Sequence, residues 1–135
     1  MAIIPISAVK HQNMSELLTL LKGHLTEGPQ YYPDDMLTDQ PEKFLIREII
    51  REKILLLTEE EIPHSVAILI DKLEDKPQLL KIMASICVER DSQKGIIIGK
   101  QGRLIKQIGT QSRLELEQIL GTKIFLELFV KVVDK

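Results

Sequence analysis

The chain has 135 residues, of which 44% are hydrophobic and 28% charged, and its formal net charge is −2. This length is sufficient for one domain with a sizeable core plus some additional chain, and the composition is typical of a soluble globular protein. No apolar run approaches the roughly 20 residues of a membrane-spanning helix, and the first residues do not follow the pattern of a secretion signal. The single cysteine, Cys87, excludes an internal disulfide. The sequence therefore predicts a cytoplasmic protein.

The small net charge conceals a strong segregation along the chain. Residues 26–75 contain thirteen acidic and five basic residues, whereas residues 92–113 contain five basic residues and no acidic one. A positive segment of this kind favours an anionic partner even when the whole molecule is slightly negative.

The first forty residues are predicted to contain the end of a strand, one helix and a linker. Residues 2–8 have the apolar character of the end of a strand, and Asn13 with Glu16 fits a capping box for a helix at 14–25. Residues 26–40 contain glycine, prolines and aspartates, which is typical of a linker.

The next three elements follow from hydrophobic spacing. Asp39 and Pro41 suit the start of a helix that runs to about Leu57, with apolar residues at helical spacing on one face. Residues 65–73 and 80–90 each alternate between apolar and polar positions, which predicts two strands of a hairpin.

A helix pair interrupted by glycine comes next, at about 93–99 and 102–120, and Gly121 is placed to end it. The second helix has a core stripe through Ile108, Ser112 and Leu116. Residues 123–133 alternate most regularly and predict a final strand. The predicted order from residue 41 is α-β-β-α-α-β.

The segment between the two helices, Gly99-Lys100-Gln101-Gly102, is the most informative in the chain. Glycines allow backbone angles that other residues avoid and let another molecule approach closely. The following helix begins with unpaired N–H groups and a partial positive charge, which attract phosphate. A GXXG loop of this kind clamps about four nucleotides in KH domains. The element order resembles that of the type II KH domain: an α+β fold with a three-stranded mixed sheet packed on helices.

This comparison gives a hypothesis for RNA binding in which phosphates and bases are held by different groups. Backbone amides of residues 100–103 and nearby cations would hold phosphates, while bases would lie in an apolar groove between the second helix and the strand at 80–90. Candidate groove walls are Ile97, Ile98, Leu104 and Ile105, and Glu89, Arg90, Ser92 and Gln93 would border the groove. The predicted RNA-binding residues are Lys94, Ile98, Gly99, Lys100, Gln101, Gly102, Arg103, Ile105, Lys106 and Arg113.

Other chemistries find little support in the sequence. The histidines His11, His24 and His64 are scattered without a ligand partner at metal-binding spacing, so no metal site is predicted. The chain contains no G-x-x-x-x-G-K-[ST] phosphate loop and no nucleophile–histidine set, which argues against an enzyme. A protein-interaction scaffold with a KH fold and no intrinsic role in RNA binding is the alternative hypothesis.

Several longer sequence motifs occur in the same order as in the C-terminal portion of the Era family of bacterial GTPases, which this chain resembles. They include Ile6-Ser7-Ala8, Glu27-Gly28-Pro29, Tyr31-Tyr32-Pro33-Asp34, Glu61-Ile62-Pro63-His64-Ser65, Val88-Glu89-Arg90, Ser92-Gln93-Lys94, Ile97-Ile98-Gly99-Lys100 and Val130-Lys131-Val132. Gln101 departs from the family, which often has glycine there, but the GXXG pattern is kept.

The resemblance implies three parts: residues 1–25 as the last strand and helix of a GTPase domain, 26–40 as the interdomain linker and 41–135 as the KH domain. Ser7 and Ala8 would be a remnant of the final guanine-recognition motif. The other four nucleotide-binding motifs are missing, so GTP and magnesium would belong to a GTPase domain outside this chain, which itself would hold no cofactor and not be an enzyme.

The same resemblance implies partners. It points to the 3′ end of small-subunit ribosomal RNA, the small ribosomal subunit during its assembly, and the protein's own GTPase domain. For full-length family members it also implies peripheral association with the inner membrane.

Overall fold

A computed structural model describes residues 3–31, 33, 42–58 and 66–133. The chain divides into two compact units, residues 1–38 and residues 39–135. The predicted three-part division at residues 25 and 40 stays a prediction.

The first unit contains one helix, α1 (Met14–His24), within its described part. The strand predicted at 2–8 is not formed in the described residues 3–8: Ser7 makes only an isolated bridge with Gln12. The predicted capping box is also wrong. Asn13 makes no side-chain cap, because its φ of 56° lies in the left-handed region and not in the extended region that a capping residue adopts. Its amide nitrogen donates to the carbonyl of Pro5 at 2.8 Å.

The second unit begins with α2 (Glu42–Leu57). Apolar residues at i, i+4 and i+8 (Ile46, Ile50 and Ile54) are almost completely buried, so the predicted core face is confirmed. The predicted cap residues Asp39 and Pro41 lie outside the described residues, as does the 59–65 segment.

Three strands form one mixed sheet in the order β1-β2-β3: β1 (Ala67–Lys76), β2 (Leu79–Val88) and β3 (Lys123–Val132). β1 and β2 pair antiparallel as the predicted hairpin, with a register shift between Ile70 and Lys72. The shift turns Leu73 towards the core, where strict alternation would have placed Lys72. β3 pairs parallel to β2 and is an edge strand.

The crossover from β2 to β3 contains α3 (Asp91–Ile98), a 3₁₀ turn (Lys100–Gly102) and α4 (Arg103–Leu120). α2, α3 and α4 supply the apolar residues that meet the inner face of the sheet in one core. Gly121 ends α4, as predicted. Its φ is 66°, and its N–H donates a hydrogen bond to the Glu117 carbonyl. The α-β-β-α-α-β order and the three-stranded mixed sheet are thereby confirmed. Across the described ranges, no helix combines the length and hydropathy that crossing a bilayer requires.

Candidate nucleic-acid interface

The turn between α3 and α4 is built from residues with positive φ. Gly99, Gln101 and Gly102 have φ values of 72°, 53° and 71°. Only glycine adopts such angles without cost. For a residue with a side chain, such as Gln101, this conformation costs about 1 kcal/mol of conformational free energy. The turn therefore has a defined shape that the two glycines allow.

Gly99 also makes space for α4. A Cβ atom at this position would lie 2.7 Å from the Cβ of Leu104 and 3.1 Å from its backbone nitrogen. At Gly102 the nearest atom to such a Cβ would be 4.0 Å away, on Ile105. Gly99 is thus required for close packing as well as for its φ, whereas Gly102 is required for its φ alone.

Two of the four amides predicted to hold phosphate are already used inside the turn. Gly102 donates its N–H to the carbonyl of Gly99 at 3.2 Å, and Arg103 donates to the carbonyl of Lys100. Among the turn, loop and cap bonds of the described residues, none starts from the N–H group of Lys100 or Gln101. Both residues are exposed. The predicted four-amide clamp is therefore reduced to at most two donors, the N–H groups of Lys100 and Gln101.

Cations surround this turn. Lys100, Arg103 and Lys106 are exposed, and Lys94 is half-buried on α3. None of the four forms an ion pair with any carboxylate in the described part of the chain. Their positive charge is therefore not neutralised by a carboxylate of the described residues.

Arg113 differs from the other four predicted cations. Its Nη1 lies 3.1 Å from Oε2 of Glu117, one turn further along α4. The other carboxylate oxygen of Glu117 accepts the N–H of Ile124 at 3.0 Å. These two contacts, the Ile124 bond first, hold the pKa of Glu117 below its usual value. The guanidinium of Arg113 is thereby oriented, with N–H groups left to donate elsewhere.

The start of α3 is fixed by Gln93. Its Oε1 accepts the backbone N–H groups of Glu89 and Arg90, both at 3.0 Å. This side chain caps the helix that leads into the glycine turn, so the predicted groove-bordering position of Gln93 has a structural role.

An apolar groove with a volume of about 300 Å³ lies between α4 and β3. Its lining comprises Ile105, Lys106, Gly109, Thr110, Arg113, Leu126 and Leu128. The prediction placed the groove against the strand at 80–90, and this is wrong. β2 is the central strand, and its inward residues are buried under the helices. β3 is the edge strand and contributes the second wall instead.

The four predicted wall residues lie in three different places. Ile105 lines the groove and stays a candidate contact, as do Lys106 and Arg113. Ile97 has no exposed surface and belongs to the core, so its predicted role as a wall is wrong. Ile98 and Leu104 are half-buried beside the glycine turn, outside the groove lining.

Sequence reasoning did not find Gly109, Leu126 or Leu128 as groove residues. The pairing of β3 with β2 is a long-range contact that local periodicity does not encode. Gly109 did carry a signal, because a glycine inside an otherwise regular helix is unfavourable and calls for an explanation.

Ser7 and Ala8 lie in the first unit, in a tight turn. The N–H and carbonyl of Ser7 bond to Gln12 at 3.3 and 3.0 Å, and its Oγ accepts the N–H of Lys10 at 3.3 Å. Among the described residues, no group of three or more His, Cys, Asp or Glu side chains could hold a metal ion.

The model of the KH domain matches residues 61–135. The chain belongs to the KH-domain family. The KH fold predicted from the glycine turn and the element order is thereby confirmed, and the match contains the turn and both walls of the groove.

Known proteins extend the KH-domain match over the rest of the chain. The GTPase Era of Geobacter sp. (strain M21) is 54% identical over 131 residues, which is 96% of this chain and 44% of that protein. A crystal structure of Aquifex aeolicus Era bound to GDP and AlF4− superposes with a TM-score of 0.88 at 45% identity, covering all of this chain and 46% of that one.

A second Era structure is a complex with MgGDPNP and nucleotides 1506–1542 of 16S ribosomal RNA. It matches with a TM-score of 0.87 at 45% identity over the whole of this chain and 46% of its own. The resemblance to Era is confirmed. The chain spans slightly less than half the length of these relatives.

Proposed function

We propose that this chain is an RNA-binding module that holds single-stranded small-subunit ribosomal RNA through the glycine turn and the adjoining groove. The observation that carries the proposal is the position of four cations that form no ion pair among the described residues. They flank an exposed turn, and this turn leads into a groove that has both apolar and basic lining. The Era relative solved with 16S ribosomal RNA supports the same ligand class.

The two parts of this site have different tasks. Lys94, Lys100, Arg103 and Lys106 neutralise phosphates, which provides affinity but carries no sequence information. The groove between α4 and β3 offers apolar contact to bases and N–H donors to their edges. Within the described residues the groove lining contains no aromatic side chain, so base stacking on aromatic rings is not the device used here.

The finer proposal concerns the biological partner. The RNA is the 3′ end of the small-subunit ribosomal RNA, and binding serves assembly of the small ribosomal subunit as part of an Era-type GTPase. Peripheral membrane association of full-length family members stays an expectation from the resemblance.

We further propose that the chain by itself does not hydrolyse GTP and holds neither GTP nor magnesium. The sequence has no phosphate-binding loop of the G-x-x-x-x-G-K-[ST] type. Titration of fluorescent GTP against the purified chain should show no saturable binding. Saturable binding followed by release of phosphate would contradict this part of the proposal.

The decisive experiment changes the charge of the turn. The double variant Lys100→Asp, Gln101→Asp places two carboxylates where phosphates are expected, so binding to a ribosomal 3′-end oligonucleotide should be lost. The chain offers a matched control in Lys76→Asp, Gln78→Asp at the β1–β2 turn, because Gln78 shares the positive φ of Gln101 (64° against 53°). This control should bind as the wild type does.

Circular dichroism and thermal melting should show both double variants to be folded. Retained binding in the folded Lys100→Asp, Gln101→Asp variant would refute the role of the turn. A scrambled oligonucleotide in the same assay measures how much of the affinity depends on sequence.

Salt dependence provides a second test. With three or four phosphates neutralised, the plot of log K against log[salt] should have a slope of about −2 to −3 for a single strand. A flat response would indicate that the basic residues do not contact phosphates and would favour the scaffold alternative.

A further inference from the structure

The backbone conformation at Gly109 does not require glycine. It lies in the interior of α4 and is not among the glycines with positive φ, which are Gly99, Gly102 and Gly121. In such a position glycine is less stable than alanine, because it loses more conformational freedom on folding and adds no side-chain contact. The reason for glycine here must lie in the space beside it.

The core does not require that space to be empty. A Cβ atom at Gly109 would meet only Cδ1 of Leu128 at 3.5 Å, an ordinary van der Waals contact. Alanine would therefore fit the folded protein. The volume that its methyl group would occupy belongs to the groove between α4 and β3.

We propose that Gly109 determines binding at the groove by leaving room for one unpaired nucleobase against the backbone of α4. The base would lie between Ile105 on the helix and Leu126 and Leu128 on the strand. This inference rests on the proposed function and goes further, because it assigns one position of the chain to the admission of a base.

The polar groups around Gly109 fit such a ligand. Lys106 and Arg113 lie one turn before and one turn after it and line the same groove, and both are donors. The hydroxyl of Thr110 donates to the Lys106 carbonyl at 2.9 Å, so it offers only lone pairs to the groove. No carboxylate lines the groove within the described chain. The site therefore suits a flat, apolar ring whose edge carries acceptor atoms for Lys106 and Arg113 and a donor for Thr110.

The test compares two alanine substitutions that have the same effect on helix propensity. Gly109→Ala adds a methyl group inside the groove. Gly95→Ala adds one in the interior of α3, where a Cβ would meet nothing within 4 Å. Both variants should melt at a slightly higher temperature than the wild type. Only Gly109→Ala should weaken binding of a short ribosomal 3′-end oligonucleotide, by about tenfold for the loss of one base contact.

A set of oligonucleotides that each lack one base shows whether the effect is local. The wild type should lose affinity strongly at one abasic position, and Gly109→Ala should be insensitive to base removal at that same position. Wild-type affinity of folded Gly109→Ala would overturn the inference while the proposed function stands, and so would an equal loss against every abasic oligonucleotide. No binding by the wild type would refute the proposed function and the inference with it.

Discussion

The carboxylate of Glu117 joins the end of α4 to the start of β3, because it accepts the N–H of Ile124 at 3.0 Å. Its second oxygen contacts Arg113 at 3.1 Å, so one side chain fixes both walls of the groove relative to each other and orients a groove residue. Glu117 thus acts on the groove through Arg113 and Ile124, although it is not among the lining residues.

The first prediction concerns the pH dependence of Glu117. Its pKa is lowered from 4.5 in the folded protein, first by the N–H of Ile124 and then by Arg113. The ionised carboxylate therefore stabilises the fold above pH 4.5, and this contribution is lost as the pH falls through the folded-state pKa. Between about pH 5 and about pH 3, the free energy of unfolding should fall more in the wild type than in Glu117→Gln.

Urea denaturation at several pH values measures this difference. Glu48→Gln, on the exposed face of α2, is the control and should follow the wild type. If the free energy of unfolding changed with pH equally in the wild type and in Glu117→Gln, the contacts with Ile124 and Arg113 would not stabilise the ionised carboxylate.

The second prediction compares the two glycines of the turn. Gly99→Ala should cost more stability than Gly102→Ala, because its methyl group would meet Leu104 at 2.7 Å in addition to the strained φ. We expect about 1 kcal/mol for the φ at Gly102 and about 2–3 kcal/mol at Gly99, where overpacking is added. Urea denaturation midpoints distinguish the two. Equal losses would mean that Leu104 moves aside without cost.

The third prediction concerns Ser112, whose hydroxyl is completely buried. Its Oγ has no hydrogen-bond partner among the described residues. Ser112→Ala removes the unpaired group and improves helix propensity, so the free energy of unfolding should rise by about 1 kcal/mol. A loss of stability in this variant would show that the hydroxyl has a partner in solution.

The fourth prediction concerns Lys53, which is buried on α2 and forms ion pairs with Glu115 on α4 and with Glu52. Glu115→Gln should destabilise the protein by about 1 kcal/mol, since it leaves a buried ammonium group with a single, more exposed partner. The double variant Lys53→Met, Glu115→Gln should recover most of this loss, because methionine needs no counter-charge.

The same pair should affect alkaline stability. The hydrogen bond to Glu115 is the main cause that raises the pKa of Lys53 above 10.5. Its contribution is therefore complete below pH 10.5 and is lost as the pH rises through the folded-state pKa. The free energies of unfolding of the wild type and Glu115→Gln should therefore converge at high pH, and a constant difference between them would contradict the assignment.

Much of the fold could be predicted from local patterns. The apolar spacing of Ile46, Ile50 and Ile54, the alternation along β1, β2 and β3, and the stop at Gly121 are short-range signals that the core obeys. The glycine turn was predictable for the same reason, since its conformation depends on residues within the turn itself.

The errors have long-range causes. Asn13 was expected to cap α1, but its side chain bonds to Pro5 instead. The position of the groove beside β3 depends on the parallel pairing of β3 with β2, which brings together segments separated by the whole crossover. Periodicity shows that Ile97 is apolar, but not that other residues cover it completely.

The parallel pairing of β3 has a kinetic consequence. The β1–β2 hairpin can close over a two-residue connection, whereas the pairing of β3 with β2 closes the much longer segment that contains α3 and α4, so we expect it to form later. A partly folded molecule in which β3 is not yet paired would expose its lysines and arginines but would lack the groove between α4 and β3. A nucleic acid that requires the groove would thus bind only the native state and would stabilise that state relative to partly folded ones.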